Sequence, residues 1–379
     1  MKKIYYGLHS IDKKDISAVI NVLKNKKLTQ GDQVIKFEDK LKTKFKAKYC
    51  TSVTNGSSAL FSVMKCLGLS KKDIVVTTPM SFVGTANCIE LVGATTKFID
   101  IDKRSYNLDV NKLENFLKKT KKKISAVISV DYAGHPNDWL GLRKLANKYN
   151  FKLINDCCHS IGSKISNDIG YASKFADFVT YSFHPVKAIT TGEGGAILTN
   201  SHFYKKKLDL IRNNFMEKKP EKFPWFYKIE SPGFNFRLSD INCALGVSQL
   251  SKLSIFIKKR REIANLYNRI FEKDKRFIIP SEKKNSFHSY HLYPLLVDFK
   301  KFNLSKKNFF LKLMKKNIFL QVHYIPIHLQ PYYKKRYNIK KNELINAENF
   351  YAKEISLPIY PSLSIESAKF VAKSIININ

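Results

Sequence analysis

The sequence predicts an α/β protein with a mostly parallel sheet, followed by a smaller α/β unit. Two observations carry this. Over the first two-thirds of the chain, short apolar runs alternate with amphipathic segments; strands alternating with helices argue for a mostly parallel sheet covered on both faces. The length of 379 residues, with 44% hydrophobic and 26% charged residues, is enough to bury a large core in one very large or two ordinary domains.

In chain order, the runs that read as strands are Ile74–Thr77, Thr96–Ile99, Ile124–Val130, Phe151–Ile154, Phe178–Phe183 and Ala196–Leu198. Helical patterns fill Ser57 to Leu67 and Trp139 to Tyr149. A second region begins near Leu250, so the expected division is a large domain over 1–250 and a small C-terminal domain over 251–379. Its reading is a long basic helix from Ser251 to Lys273, a strand in HLYPLLVDF at 291–299, a helix from Ser305 to Lys316, and a second strand in QVHYIPIH at 321–328.

Composition narrows the function classes. No apolar run approaches the ~20 residues that cross a bilayer, and the first residues lack the apolar core of a secretory signal; a cytoplasmic location is the expectation, with no membrane partner. The six cysteines form no C-x-x-C pair, so buried free thiols are expected and a metal site is not. The net charge of +36 invites a nucleic-acid reading. Its lysines, however, are spread along the chain rather than gathered with arginines and aromatics on one segment, which disfavours specific nucleic-acid binding. The charge is also suited to attracting a doubly anionic substrate.

Three segments carry candidate chemistry. Asn55-Gly56-Ser57-Ser58 precedes the helical pattern; small residues at a helix start expose backbone N–H groups to an anion such as phosphate, or simply form an N-cap. Asn155-Asp156-Cys157-Cys158-His159 follows a strand. A carboxylate at a strand end sits where ligands bind and can keep a pyridine nitrogen protonated, or else caps the next helix. His159 reads as a supporting rather than a catalytic group. In Tyr181-Ser182-Phe183-His184-Pro185-Val186-Lys187, the lysine has apolar, small or hydroxylic neighbours. A buried amine loses its charge more readily and attacks carbonyls; the alternative is a surface-loop lysine. A phosphate cradle, a strand-end Asp and a strand-end Lys in this order describe a pyridoxal phosphate site.

The chain resembles the sugar-nucleotide aminotransferases of the DegT/DnrJ/EryC1/StrS family. The resemblance rests on LTQG at 28–31, TNGSSAL at 54–60, TTPMSFVGTAN at 77–87, VDYAGHP at 130–136, NDCCHSIG at 155–162, YSFHPVK at 181–187, GEGGAILTN at 192–200, GFNFRLSDINCALGVSQL at 233–250 and QVHYIPIH at 321–328. It implies the fold type I, aspartate aminotransferase-like fold and pyridoxal 5'-phosphate as cofactor. It further implies that Lys187 holds the cofactor covalently, that Asp156 pairs with its ring nitrogen, and that Ser57, Ser58 and Ser182 hold its phosphate. By the same resemblance His159 lies near the cofactor's phenolic oxygen and Phe82 stacks on its ring. Asn235 reaches into a neighbouring subunit's site, which makes a homodimer with shared active sites the expected assembly, and Arg237 meets the amino donor's carboxylate. Tyr6, Lys26, Lys27, Leu28, Thr29, Gln321, Val322, His323 and Tyr324 match positions that contact the sugar nucleotide. The implied reaction moves the amino group of L-glutamate to C4 of a UDP-4-keto-6-deoxy-N-acetylhexosamine; a bacillosamine- or perosamine-type substrate is the alternative. Family members that deoxygenate sugars carry histidine in place of the lysine, so Lys187 favours transamination. Gly192 and the Cys157-Cys158 pair depart from the commoner family residues.

Overall fold

A computed structural model describes residues 3–24, 27–340 and 342–378. In chain order its strands are β1 (Ile4–Tyr5), β2 (Tyr49–Val53), β3 (Ile74–Thr77), β4 (Thr95–Phe98), β5 (Ala126–Val130), β6 (Lys152–Asp156), β7 (Lys164–Ile165), β8 (Phe178–Ser182) and β9 (Gly195–Thr199). There follow β10 (Met216–Lys218), β11 (Tyr227–Ile229), β12 (Phe277–Ile278), β13 (Ser286–Phe287), β14 (Tyr293–Val297), β15 (Ile318–Phe319) and β16 (Glu354–Leu357). Seven of them form one sheet in the order β2-β9-β8-β6-β5-β3-β4. Neighbours are parallel except at β9, which runs against both β2 and β8.

Successive strand residues point to opposite faces, and here both faces are covered. Val76, Val127, Leu153, Val179 and Leu198 enter one core; Val75, Ile128, Ile154, Phe178 and Ile197 enter the other. This double burial explains the unbroken apolar runs. Each such side chain contributes about 1.5–3 kcal/mol on burial. The topology brings the carboxyl ends of β2, β3, β5, β6 and β8 to one edge of the sheet. Asp156 closes β6 and Ser182 closes β8. Gly195, which opens the reversed β9, pairs with both Ser182 and Val53.

The strands expected at 96–99, 124–130, 151–154, 178–183 and 196–198 are present with shifted ends, and β2 is additional. A helix over Asp240–Ser251 precedes Lys252, and the expected helix from Ser251 to Lys273 is present after it as Leu253–Phe271. The second spans both units: Phe256 and Ile257 join the core of the large sheet, while Ile263, Tyr267 and Phe271 join that of the small one. The expected division at 250/251 falls in the last turn of Asp240–Ser251, ahead of Leu253, Phe256 and Ile257, which still pack in the core of the large sheet. Ile4 lies in the small unit's core, because β1 pairs in parallel with β15.

The second small-unit strand expected at 321–328 does not form. Gln321 makes only an isolated bridge to Ser356, Pro326 has no N–H to donate, and Ile327–Leu329 closes a 3-10 turn. The partner of β14 is instead the antiparallel β16, with β12 on its other side. Among the described residues no helix is long and apolar enough to cross a membrane, and all six cysteines are unpaired, with only Cys158 not fully buried.

Candidate active site

A cavity of about 670 Å³ opens at the sheet edge where these strands end. At one wall stands the helix Gly56–Leu67. Its N-cap Asn55 is extended, and Asn55 Oδ1 accepts from Ser58 N at 2.7 Å. The Ser58 hydroxyl returns the bond, accepting from Asn55 N at 3.0 Å. Ser58 is thus buried inside the capping box and does not line the cavity. Of the expected phosphate-holding pair Ser57 and Ser58, only Ser57 therefore stands at the cavity. Gly56 and Ser57 do line it, and their N–H groups have no intrahelical partner, which suits an anion. A Cβ at Gly56 would stand 2.8 Å from Ser182 Cβ, so glycine is what lets this helix start close on the Ser182 hydroxyl.

At the floor, Asp156 is 4% exposed. Its Oδ2 accepts from Thr85 Oγ1 at 2.6 Å, and Oδ1 accepts from Cys158 N at 3.2 Å. Thr85 Oγ1 is in turn 2.7 Å from Ser81 Oγ. Lys187 follows the Pro185 turn, its N–H donating to His184 O at 2.9 Å. It is half-buried and lines the same cavity. Burial holds its amine below the ordinary lysine range, helped by the charge of Arg260 and opposed by Cys158 and Asp156. A depressed amine is poised both to bond a carbonyl and to carry protons.

Above the floor, His159 is buried with Nε2 2.9 Å from Tyr324 Oη and Nδ1 accepting from Ala133 N at 3.3 Å. His291 lies beside it, ring centroids 4.5 Å apart. Burial, with the nearby Lys187 charge, pushes His159, His291 and His323 well below the ordinary imidazole range, His323 to about 3. These three rings are neutral at physiological pH. Phe82 is 56% exposed at the mouth and open to stacking. Tyr6, Gln321, Val322, His323 and Tyr324 complete the opposite wall.

The remaining sequence candidates lie elsewhere on this chain. Lys27, Leu28 and Thr29 are exposed, and the loop is tied to 239–240 by the Thr29–Ser239 bridge and by Asp240 N donating to Leu28 O at 2.9 Å. Asn235 is exposed and bridges Asn213, and Arg237 Nη1 donates to Asn213 Oδ1 at 2.8 Å. None of these five lines the cavity. Lys26 falls outside the described residues. Sequence reasoning missed Thr85, Glu193 and His291 as cavity residues. Thr85 stood inside the quoted TTPMSFVGTAN run; His291 was taken as the start of a strand, and nothing local marks it.

The fold and the cavity define a fold type I pyridoxal phosphate enzyme of the aminotransferase class. The chain belongs to the DegT/DnrJ/EryC1/StrS aminotransferase family, whose profile matches residues 9–376. It is 38% identical over 373 residues to the UDP-4-amino-4,6-dideoxy-N-acetyl-beta-L-altrosamine transaminase of Campylobacter jejuni, covering 98% of this chain and 96% of that one. It is 30% identical over 355 residues to the GDP-perosamine synthase of Escherichia coli O157:H7, covering 92% and 90%. Among solved structures it superposes on Helicobacter pylori PseC, an aminotransferase involved in the biosynthesis of pseudaminic acid. The TM-score is 0.92 at 35% identity, covering 100% of this chain and 99% of that one.

Proposed function

We propose that this sugar aminotransferase transfers the amino group of L-glutamate to C4 of UDP-2-acetamido-2,6-dideoxy-β-L-arabino-hex-4-ulose, a step of pseudaminic acid biosynthesis. The observation that carries the reading is the convergence of Lys187, Asp156 and the Gly56–Ser57 helix start in one cavity. These residues fit pyridoxal phosphate, the cofactor of this family: an anion cradle, a carboxylate for a ring nitrogen and an amine for an aldehyde lie on one sheet edge. When bound, the cofactor acts as an electron sink for the carbon that loses or gains a proton.

The chain's own residues do the rest. The N–H groups of Gly56 and Ser57 and the Ser57 and Ser182 hydroxyls bind the phosphate. Asp156, fixed by Thr85, keeps the ring nitrogen protonated. Phe82 covers the ring face, and His159 stands near its phenolic oxygen. Lys187 Nζ takes the α-proton of glutamate and later returns a proton to C4 of the sugar, a task matched to its depressed amine. Tyr6, Gln321, Val322, His323 and Tyr324 bind the sugar nucleotide. Lys26, Lys27, Leu28, Thr29, Asn235 and Arg237 serve the site of a second subunit in a cytoplasmic homodimer. The reading of shared sites is supported by the exposure of Lys27, Leu28, Thr29 and Asn235 outside their own chain's cavity.

Lys187→Ala is expected to abolish turnover and the visible absorbance of bound cofactor. Borohydride reduction followed by peptide mass spectrometry should place a pyridoxyl group on Lys187 in the parent protein; an adduct elsewhere contradicts the reading. Product NMR after incubation with the L-arabino and D-gluco-derived UDP-4-keto sugars tests the substrate. Similarity to a GDP-perosamine synthase makes a GDP-linked 4-keto sugar the second substrate to try.

A further inference from the structure

Behind His323 lies a buried acid that the reaction above leaves unused. Glu354 opens β16 and is fully buried. Its Oε2 accepts from His323 N at 3.1 Å, and its Oε1 accepts from Ser356 Oγ at 2.5 Å. The same Ser356 Oγ lies 2.8 Å from His323 Nδ1. The mutual backbone bonds of Ser356 and Gln321 hold the serine in place, and the Tyr132 hydroxyl donates to His323 O. The His323 ring bond runs through Nδ1, which leaves Nε2 to the cavity that the residue lines. We propose that Glu354, acting through the Ser356 hydroxyl, decides which nitrogen of His323 carries the ring proton, and so whether Nε2 offers the sugar a donor or an acceptor.

The argument is one of proton allocation. The His323 ring is neutral, so it has one N–H to place. With Glu354 ionised, Ser356 donates to the carboxylate, Nδ1–H donates to Ser356, and Nε2 is left as an acceptor. With Glu354 protonated, the acid O–H sits on Oε1, because Oε2 already takes the His323 N–H. Ser356 then accepts from Glu354 and donates to Nδ1, and Nε2–H becomes a donor suited to a keto or hydroxyl oxygen. Burial raises the Glu354 carboxyl to about 8, against the lowering effects of Ser356, the Lys306 charge and the His323 N–H. Lys306, whose amine donates to Tyr351 O at 2.6 Å, is the cation acting on it; burial pulls that amine down to about 8, so Lys306 and Glu354 titrate as one pair. Tyr106, Tyr132 and Tyr324 are the other titratable groups whose fields meet it, all raised and therefore neutral. While Glu354 is protonated the donor form holds; once its raised carboxyl ionises the acceptor form replaces it. Glu354 and Ser356 are positioning residues. Their effect on sugar binding rests on the proposed function; the proton allocation itself does not.

The test reads both separately. In ¹⁵N-histidine-labelled protein, with His323 assigned from a His323→Gln variant, the ring shifts are expected to move from the Nε2–H to the Nδ1–H tautomer between pH 7 and 9. Glu354→Gln, whose amide donates to Ser356 at every pH, should hold the Nε2–H form throughout. Ser356→Ala should uncouple the ring from pH and keeps the question open to measurement if the Gln variant folds poorly. In kinetics, KM for the UDP-4-keto sugar should rise about fivefold to tenfold over that range, the worth of one hydrogen bond. The half-reaction with glutamate should show no such rise, and Glu354→Gln should remove it. A tautomer that ignores pH in the parent protein, or one that titrates unchanged in Glu354→Gln and Ser356→Ala, overturns the inference. A tautomer that follows Glu354 while no UDP-4-keto sugar is accepted upholds the relay and instead refutes the substrate reading.

Discussion

The Asp156 carboxylate receives a hydroxyl from Thr85, a residue separated from it by 71 positions. Hydrogen bonds to a charged group contribute about 1.5–3 kcal/mol. Thr85→Val is therefore expected to lower kcat roughly tenfold to a hundredfold with the melting temperature almost unmoved, as steady-state kinetics beside calorimetry will show. Asp156→Asn should cost more, on the order of a thousandfold, since it removes the carboxylate that would keep the cofactor's ring nitrogen protonated. At this scale the placing of Asp156, Ser182 and Lys187 at the cavity was legible because strand ends are local: a polar residue after an apolar run is visible in a window of ten. Thr85, His291 and the Glu354–Ser356 pair were not. Their roles arise from contacts between segments far apart in sequence, and no local pattern distinguishes His291 from a histidine packed in a core. Ser58 illustrates the reverse case, a residue of the expected helix start that stands outside the cavity because the capping box takes both its N–H and its hydroxyl.

The helix Gly56–Leu67 joins stability to binding at its first turn. Loss of the Asn55 cap in Asn55→Ala should destabilise the protein by about 1 kcal/mol. Gly56→Ala should act differently. A methyl 2.8 Å from Ser182 Cβ forces the helix start away from the strand end, so cofactor affinity, titrated by absorbance, should fall by at least tenfold while the fold persists. Full affinity in that variant would show that the approach of helix to strand is not what forms the cradle. β1 offers a matching test, since Ile4 anchors it in the small core and Tyr6 leads straight to the cavity wall. Ile4→Asp should raise KM for the sugar nucleotide without slowing the glutamate half-reaction. Elements of the large sheet were readable because burial on both faces writes long apolar runs. The small unit was readable only in part. QVHYIPIH and EISL are equally apolar, and what decides between them is Pro326 and the pairing of Leu357, Ser356, Ile355 and Glu354 with β14, a choice made by tertiary partners.

For the molecule as a whole, six buried histidines dominate the response to acid; burial lowers His328 and acts more strongly on the other five. Burial holds His135 at about 4 and His323 at about 3, and puts His159, His288 and His291 well below the usual 6.5. Each takes up a proton near pH 6.5 when unfolded but not when folded. The stability they contribute is full above pH 6.5 and is lost as pH falls, at up to about 1.4 kcal/mol per pH unit for each. Glu354 works oppositely: its raised carboxyl favours the fold below pH 4.5, with that gain lost as pH rises towards 8. The net expectation is a steep drop in melting temperature between pH 6.5 and 5, by scanning calorimetry, softened in His135→Gln. The net charge of +36 adds self-repulsion that salt screens, so added sodium chloride should raise the melting temperature. Charge and composition were visible in the sequence from the outset. The placing of 27–29 against 235–240 was not, since it depends on a tertiary bridge.

The pairing of β1 with β15 also has a meaning in time. During synthesis the stretch at Ile4–Tyr5 emerges early, yet Ile318–Phe319 is translated some three hundred residues later, a wait of roughly 15–60 s at ribosomal speeds of about 5–20 residues per second. Until then the segment bearing Tyr6 has nowhere to dock. The wall proposed to receive the sugar is therefore among the last parts to close, so under that proposal a nascent or truncated chain can possess its lysine and its helix start while remaining blind to the acceptor.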